Sequence, residues 1–253
     1  MNMAGYKGTF SFRKDVGRVR LSNEDQCAVS VNSFGDVFLC VCDGMGGQNK
    51  GDYASKLALD SMMNDFRSMP KMPGIFLKSW LSKAYKNANA LIFEEAGKSS
   101  LYQDMGTTCV TALIHGGRIV IGNAGDSRAY SYSRDSLRLT RLTEDQTYVD
   151  YLYRTGRIKA SEISSRPDRH VLMNAMGVTR AAYFDIKSYP YAGETILLCS
   201  DGLYNNLSEA EIKAVLATDD RSDEKAGYLI GEANANGGSD NIAVALWEAL
   251  SHD

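Results

Sequence analysis

Four aspartates carry the first chemical signal in this chain, because each abuts an apolar run fit for a buried strand. Asp43 follows the run in VFLCVCDGMGG and Asp201 follows the one in ETILLCSDGL. Asp126 stands between two short apolar segments in RIVIGNAGDSRAY, and Asp240 precedes the run in GGSDNIAVALW. Taken singly, Asp-Gly is a turn signal. Taken together, carboxylates placed after, between and before antiparallel strands can meet at one rim of a sheet. Two carboxylates about 5 Å apart repel by roughly 3 kcal/mol at an effective dielectric near 20, and four of them make six such pairs. Such a cluster must be protonated, matched with Lys or Arg, or neutralised by cations. No Lys or Arg adjoins Asp43, Asp201 or Asp240, although Arg128 lies near Asp126. Oxygen donors with little histidine or thiolate favour a hard ion, Mg²⁺ or Mn²⁺. Glycine after Asp43 and after Asp201 lets backbone approach closely, so the Gly44 carbonyl is itself a candidate ligand.

The elements that must position these groups read as strands, then helices, then strands again. GTFSFRKD, QCAVSVN and DVFLCVC, within residues 8 to 43, are strand-like runs separated by Gly, Asn and Asp. Residues 50 to 97 read as helical. Phe76, Leu77, Trp80, Leu81, Ala84, Tyr85, Ala88, Leu91 and Ile92 keep an i, i+3/i+4 spacing there, with Pro73 suited to the first turn and Gly97 to the stop. From about 106 onward come GTTCVTALIH, GRIVIGN, SRAYSYS, YFDIKSYP, ETILLCS and NIAVALWE, the first two joined through HGGR as a tight hairpin. The polar stretch 146–171 mixes a short helix with loop. Ser208 and Glu211 form a capping box that opens a helix, and SDEKAGYLIGEANA is a further one. Antiparallel strands with two groups of amphipathic helices predict an α+β fold of sheets covered by helices, with residues 1–253 as one domain.

At 253 residues and a formal charge of −3 the chain lacks the basic excess of a dedicated nucleic-acid binder. Its start, MNMAGYKGTFSF, has no apolar secretory core, and no run approaches the roughly 18 apolar residues of a membrane span. The expectation is a cytoplasmic protein with neither nucleic acid nor membrane as partner. Cys27, Cys40, Cys42, Cys109 and Cys199 are odd in number and lie in apolar contexts, which predicts buried free thiols in a reducing compartment. CVC is not a zinc motif, and three histidines leave little for a histidine-based centre.

VRLSNEDQ, DGMGGQNKG, GTTCVTALI, GNAGDSRAY, LLCSDGL and GGSDNIAVAL resemble, in order and spacing, the motifs of the metal-dependent protein phosphatases (type 2C, or PPM, serine/threonine phosphatases). The DGMGG form is similar to the bacterial branch, and the resemblance runs from about residue 9 to 247. It implies a four-layer sandwich, two central antiparallel β-sheets flanked by helices on both sides, with the metal centre at one end. It implies that Asp43 bridges two metals, with the Gly44 carbonyl beside it, and that Asp201 and Asp240 bind the first. Glu24 and Asp25 would hold waters around the second. Asp126, with Asp201, would hold a weaker third, and Arg20 would bind the substrate phosphate. The implied reaction is in-line attack on phosphoserine or phosphothreonine in proteins by a water bridging two Mn²⁺ or Mg²⁺ ions. A cognate Ser/Thr kinase would supply the substrate, and 146–171 matches the family's flap. Gln48, Gln146 and Asn174 depart from the family pattern at positions that are not implied metal ligands. A pseudophosphatase, a small-phosphoester hydrolase and a two-metal nuclease are the competing readings. The intact carboxylates weigh against the first, and the lack of adjoining basic patches weighs against the last.

Overall fold

The computed structural model describes residues 6–46, 50–163 and 165–250. In chain order these form β1 (Gly8–Asp15), β2 (Asp25–Val31), β3 (Val37–Met45), α1 (Lys50–Arg67), α2 (Leu77–Gly97), β4 (Gly106–Thr107), β5 (Cys109–His115), β6 (Arg118–Ala124), β7 (Arg128–Ser133) and β8 (Arg138–Arg141). There follow α3 (Tyr148–Arg154), α4 (Ala160–Ile163), β9 (Asp185–Pro190), β10 (Thr195–Cys199), α5 (Asp201–Tyr204), α6 (Glu209–Leu216), α7 (Ser222–Ala235) and β11 (Ile242–Ala249). One sheet has the order β1-β11-β10-β7-β8, and the other β2-β3-β5-β6-β9 with β4 added beside β3. Every named pairing is antiparallel.

The alternation along each central strand explains the layering. On β3, Val37, Leu39 and Val41 face the second sheet and meet Ile196, Leu198, Ala243, Ala245 and Trp247. Phe38, Cys40 and Cys42 face outward and pack beneath α1 and α2 through Ala54, Ala58, Met62, Leu81 and Tyr85. On the far side, Leu197, Cys199, Val244 and Leu246 meet Leu203, Ile212, Leu216 and Leu229 of the last three helices. Strands buried on both faces read as continuous apolar runs, which is why VFLCVC and TILLC show no polar alternation. Each such side chain contributes about 1.5–3 kcal/mol on burial. The four-layer α+β architecture expected from the sequence is therefore present.

Local signals mostly act as expected. Gly116 and Gly117 take φ of 53° and 77°, the left-handed pair that a two-residue hairpin between β5 and β6 requires. Ser208 and Glu211 cap α6 reciprocally. The helical region is two helices, and Pro73 sits in extended conformation ahead of a short 3₁₀ turn that leads into α2. β3 and the segment at Asp201 differ from the sequence reading in ways that bear on the acidic residues. β3 does not stop at Asp43 but runs on to Met45, because Gly44 and Met45 pair with Thr107 and Gly106 of β4. Asp201 heads a short helix rather than a turn.

Candidate metal centre

Antiparallel order brings the acidic residues to one rim. The start of β2 lies beside the end of β3, and Asp25 and Asp43 are direct cross-strand partners. β10 ends beside the start of β11, which sets Asp201 next to Asp240. Asp126 lies in the connection from β6 to β7, at the same end. Asp25 and Asp126 are buried, while Glu24, Asp43, Asp201 and Asp240 are half-buried and open toward solvent.

Asp43 is held through its backbone, and Asp25, Asp201 and Asp240 through their carboxylates. The Asp43 amide donates to Thr108 Oγ1 at 3.0 Å, and its carbonyl accepts from the Thr108 amide at 2.8 Å and Thr107 Oγ1 at 2.9 Å. Ser200 Oγ donates to Asp25 Oδ2 at 2.6 Å. Asn205 Nδ2 donates to Asp201 Oδ2 at 3.0 Å. Arg20 reaches Asp240 Oδ2 at 2.7 Å with its side chain more than half exposed. Close backbone packing explains the glycines. A Cβ on Gly44 would collide with the carbonyls of Gly51 and Glu24, and one on Gly202 with that of Asn241.

Electrostatics sets this rim apart. Removal from water, followed by repulsion from Asp201 and Asp240, lifts the Asp25 carboxyl to about 7. Burial and then Asp201 lift Asp126 to about 8. Burial and then Asp240 lift Asp201 to about 6. Asp43 is raised well above the carboxylate range by burial and then by Asp25, Asp201, Asp126 and Asp240 in turn. The matching positive charge is small. Arg128, next but one to Asp126 in sequence, is instead committed to Asp145 at 2.6 Å and lies 3.5 Å over the Tyr204 ring. The oxygen-only donor set with excess negative charge fits hard divalent cations. Among the described residues, no three of these carboxylates bring oxygens all within 4.8 Å of one another.

Comparison with known proteins decides the family. Residues 17–225 match the family model described as "Protein phosphatase 2C". The chain belongs to that family. Among protein phosphatase 2C relatives, it is 37% identical to the serine/threonine phosphatase stp of Listeria innocua, over 94% of each chain. It is 32% identical to the serine/threonine protein phosphatase PstP of Mycobacterium tuberculosis, over 96% of this chain and 45% of that one. The crystal structure of serine/threonine phosphatase Stp1 from Staphylococcus aureus superposes with a TM-score of 0.91 at 30% identity, covering 98% of this chain and 97% of that one.

In this phosphatase 2C chain the residues singled out by sequence, Arg20, Glu24, Asp25, Asp43, Gly44, Asp126, Asp201 and Asp240, all lie at the one rim. Several of their supports carry no sequence signal. Asn241 is a hub: its Oδ1 accepts from the Glu24 amide at 2.8 Å, and its Nδ2 donates to the carbonyls of Val16 and Ser22 at 2.9 Å. It thereby fixes the loop that carries Arg20. His170, from the 146–171 segment, is exposed and brings Nδ1 to 3.9 Å from Asp201. Gln146 Oε1 accepts from the Gly125 amide at 2.9 Å and from Asn174 Nδ2 at 2.6 Å, so two departures from the family pattern brace the connection bearing Asp126. Gln48 lies outside the described residues.

Proposed function

We propose that this chain is a metal-dependent phosphatase of phosphoserine and phosphothreonine in proteins, with the carboxylate rim as its reaction centre. The observation that carries the reading is a set of facing, partly buried carboxylates that outnumber the basic groups beside them, in a chain of the protein phosphatase 2C family. Asp43, the Gly44 carbonyl, Asp201 and Asp240 would hold Mn²⁺ or Mg²⁺. Glu24 and Asp25 would order water around a second ion, and Asp126 with Asp201 would hold a weaker third. When bound, these cations would lower the pKa of water for in-line attack at phosphorus and offset charge on the phosphoryl oxygens.

The chain's own residues orient and bind. Thr107 and Thr108 fix the Asp43 backbone, and Ser200 fixes the Asp25 carboxylate. Arg20 carries five donors in a planar fork, so it can pair with phosphate oxygens while keeping one N–H on Asp240. Asn241 holds the loop from which Arg20 projects. Residues 1–253 would act as one phosphatase domain, with 146–171 as the flap over the rim. Among the described residues no helix is long and apolar enough to cross a membrane. A cytoplasmic setting, with a Ser/Thr kinase supplying phosphoprotein substrates, is the natural context for this activity.

Phosphate release from a phosphothreonine peptide, with Mn²⁺ and then with excess chelator, tests the proposal. Release that depends on metal is expected. Release that persists in chelator would overturn the metal mechanism, and no release with bound Mn²⁺ would favour a pseudophosphatase.

A further inference from the structure

Among the described residues, one trio of ligating side chains has donor atoms all within 4.8 Å of one another, and it is made of sulfur: Cys40, Cys42 and Cys109. Cys40 and Cys42 are two apart on β3, so their thiols share the face beneath α1 and α2. Cys109 opens the neighbouring β5 and enters the same layer. The Cys40 sulfur lies 3.7 Å from that of Cys42 and 3.9 Å from that of Cys109. All three residues are fully buried. Cys27 and Cys199 stand apart from this trio.

Three sulfurs at the roughly 2.3 Å of a zinc–thiolate bond lie about 4.0 Å apart in a trigonal plane, near the two distances from Cys40, and a larger soft ion needs only slight spreading within the 4.8 Å that bounds the trio. We propose that Cys40, Cys42 and Cys109 form a three-coordinate binding site for a soft, closed-shell divalent cation, of which Cd²⁺ is the probe. Soft thiolate donors select such ions over Mg²⁺ and Mn²⁺. Structural zinc sites take a fourth protein ligand, and among the described residues no histidine, carboxylate or further thiol completes this trio. The balance is one M²⁺ plus three thiols giving one three-thiolate complex of charge −1 and three protons released to solvent. A monovalent ion would leave −2 in the same closed layer, a heavier desolvation penalty. The Tyr85 hydroxyl donates to the Cys109 carbonyl at 3.1 Å and meets Thr111 Oγ1 at 3.1 Å, which places a polar group beside the sulfurs.

The site adjoins the carboxylate rim through the backbone. Cys42 is bonded to Asp43, and Cys109 is bonded to Thr108, whose Oγ1 accepts the Asp43 amide. An ion held by all three sulfurs ties β3 to β5 directly behind that contact. Entry requires local opening of the helical layer, so loading is slow.

The test is prolonged incubation of the reduced full-length chain with Cd²⁺ in the presence of excess Mn²⁺, which occupies oxygen ligands. Thiolate-to-metal charge-transfer absorption is followed in the ultraviolet, and bound Cd²⁺ by native mass spectrometry. One Cd²⁺ per chain with the charge-transfer band is expected for the wild type and for Cys199→Ala. At least a tenfold loss of affinity is expected for Cys40→Ala and for Cys42→Ala. Absence of the band in the wild type, or an equal band in Cys40→Ala, would overturn the site. Because binding is read without turnover, this result stands apart from the fate of the proposed phosphatase activity.

Discussion

At the end of β11 that carries Glu248, a buried lysine has its charge partner; at the end that begins just past Asp240, the buried acids do not. Lys225 is fully buried on α7 and donates to Glu248 Oε1 at 2.6 Å and to the Leu216 carbonyl at 3.3 Å. Ser222 Oγ covers the other Glu248 oxygen at 2.7 Å, and Thr9 Oγ1 meets Ser222 Oγ at 2.6 Å. That cluster is satisfied by its own side chains, as a structural ion pair must be. The opposite rim gathers Asp25, Asp43, Asp126 and Asp201 with Arg20, Lys14 and Arg128 only partly offsetting them, and burial with mutual repulsion raises all four. A protein tolerates such an imbalance where a ligand completes it. The contrast separates a buried charge that holds the fold from one that does chemistry.

Breaking each end should therefore fail differently. Asp43→Asn should lower kcat/KM by more than about 100-fold, exceeding the roughly 10–100-fold lost when mere outer supports of a metal site are removed. In chelator the same variant should melt higher than wild type, because folding no longer has to protonate that carboxyl or bear its charge. Lys225→Ala should leave Glu248 uncompensated and cost about 3 kcal/mol of stability, with kcat/KM unchanged in the protein that remains folded. Chemical denaturation beside steady-state rates checks both variants, and the reverse pattern would merge the two regions into one class.

Titration sharpens the comparison. The folded-state values of about 6, 7 and 8 for Asp201, Asp25 and Asp126 lie above the ordinary carboxylate value near 3.8. Folding thus binds protons, and the stability tied to these groups is present at low pH and lost as pH rises from about 4 to about 8. Chelated protein should melt higher at pH 6 than at pH 8, and Mn²⁺ should narrow or invert that order. A chelated protein more stable at pH 8 would contradict the repulsion described here. The smallest effect is expected at Arg20. Arg20→Ala should raise KM for a phosphopeptide by roughly tenfold, the worth of a charge-assisted hydrogen bond, while Mn²⁺ affinity changes little. Loss of metal binding in that variant would make Arg20 a structural partner of Asp240 instead.

What the sequence made legible follows a physical rule. Asp43, Asp126, Asp201 and Asp240 stood out because each adjoins an apolar run, and strand order then brings them together without further information. The layers were legible because the central strands are apolar on both faces and the helices on one. β4 was not legible as a strand apart from β5, since GTTCVTALIH reads as one run, and β8 was not legible because RLTR carries no apolar pattern. Nor were Asn241, Ser200 and His170, whose partners lie far away in the chain. The Ser200–Asp25 bond, for example, spans 175 positions. Arg128 shows the converse failure: its sequence neighbour Asp126 is not its partner, because Asp145 offers a two-pronged contact from across the fold.

Equilibrium binding of Mn²⁺ to chelator-stripped wild type and Asp43→Asn tests the central claim most directly. Stoichiometric Mn²⁺ is expected in the wild type, and its loss is expected in Asp43→Asn at the same folded fraction. Undiminished Mn²⁺ binding in the variant would mean that the carboxylate rim is not where the cations sit.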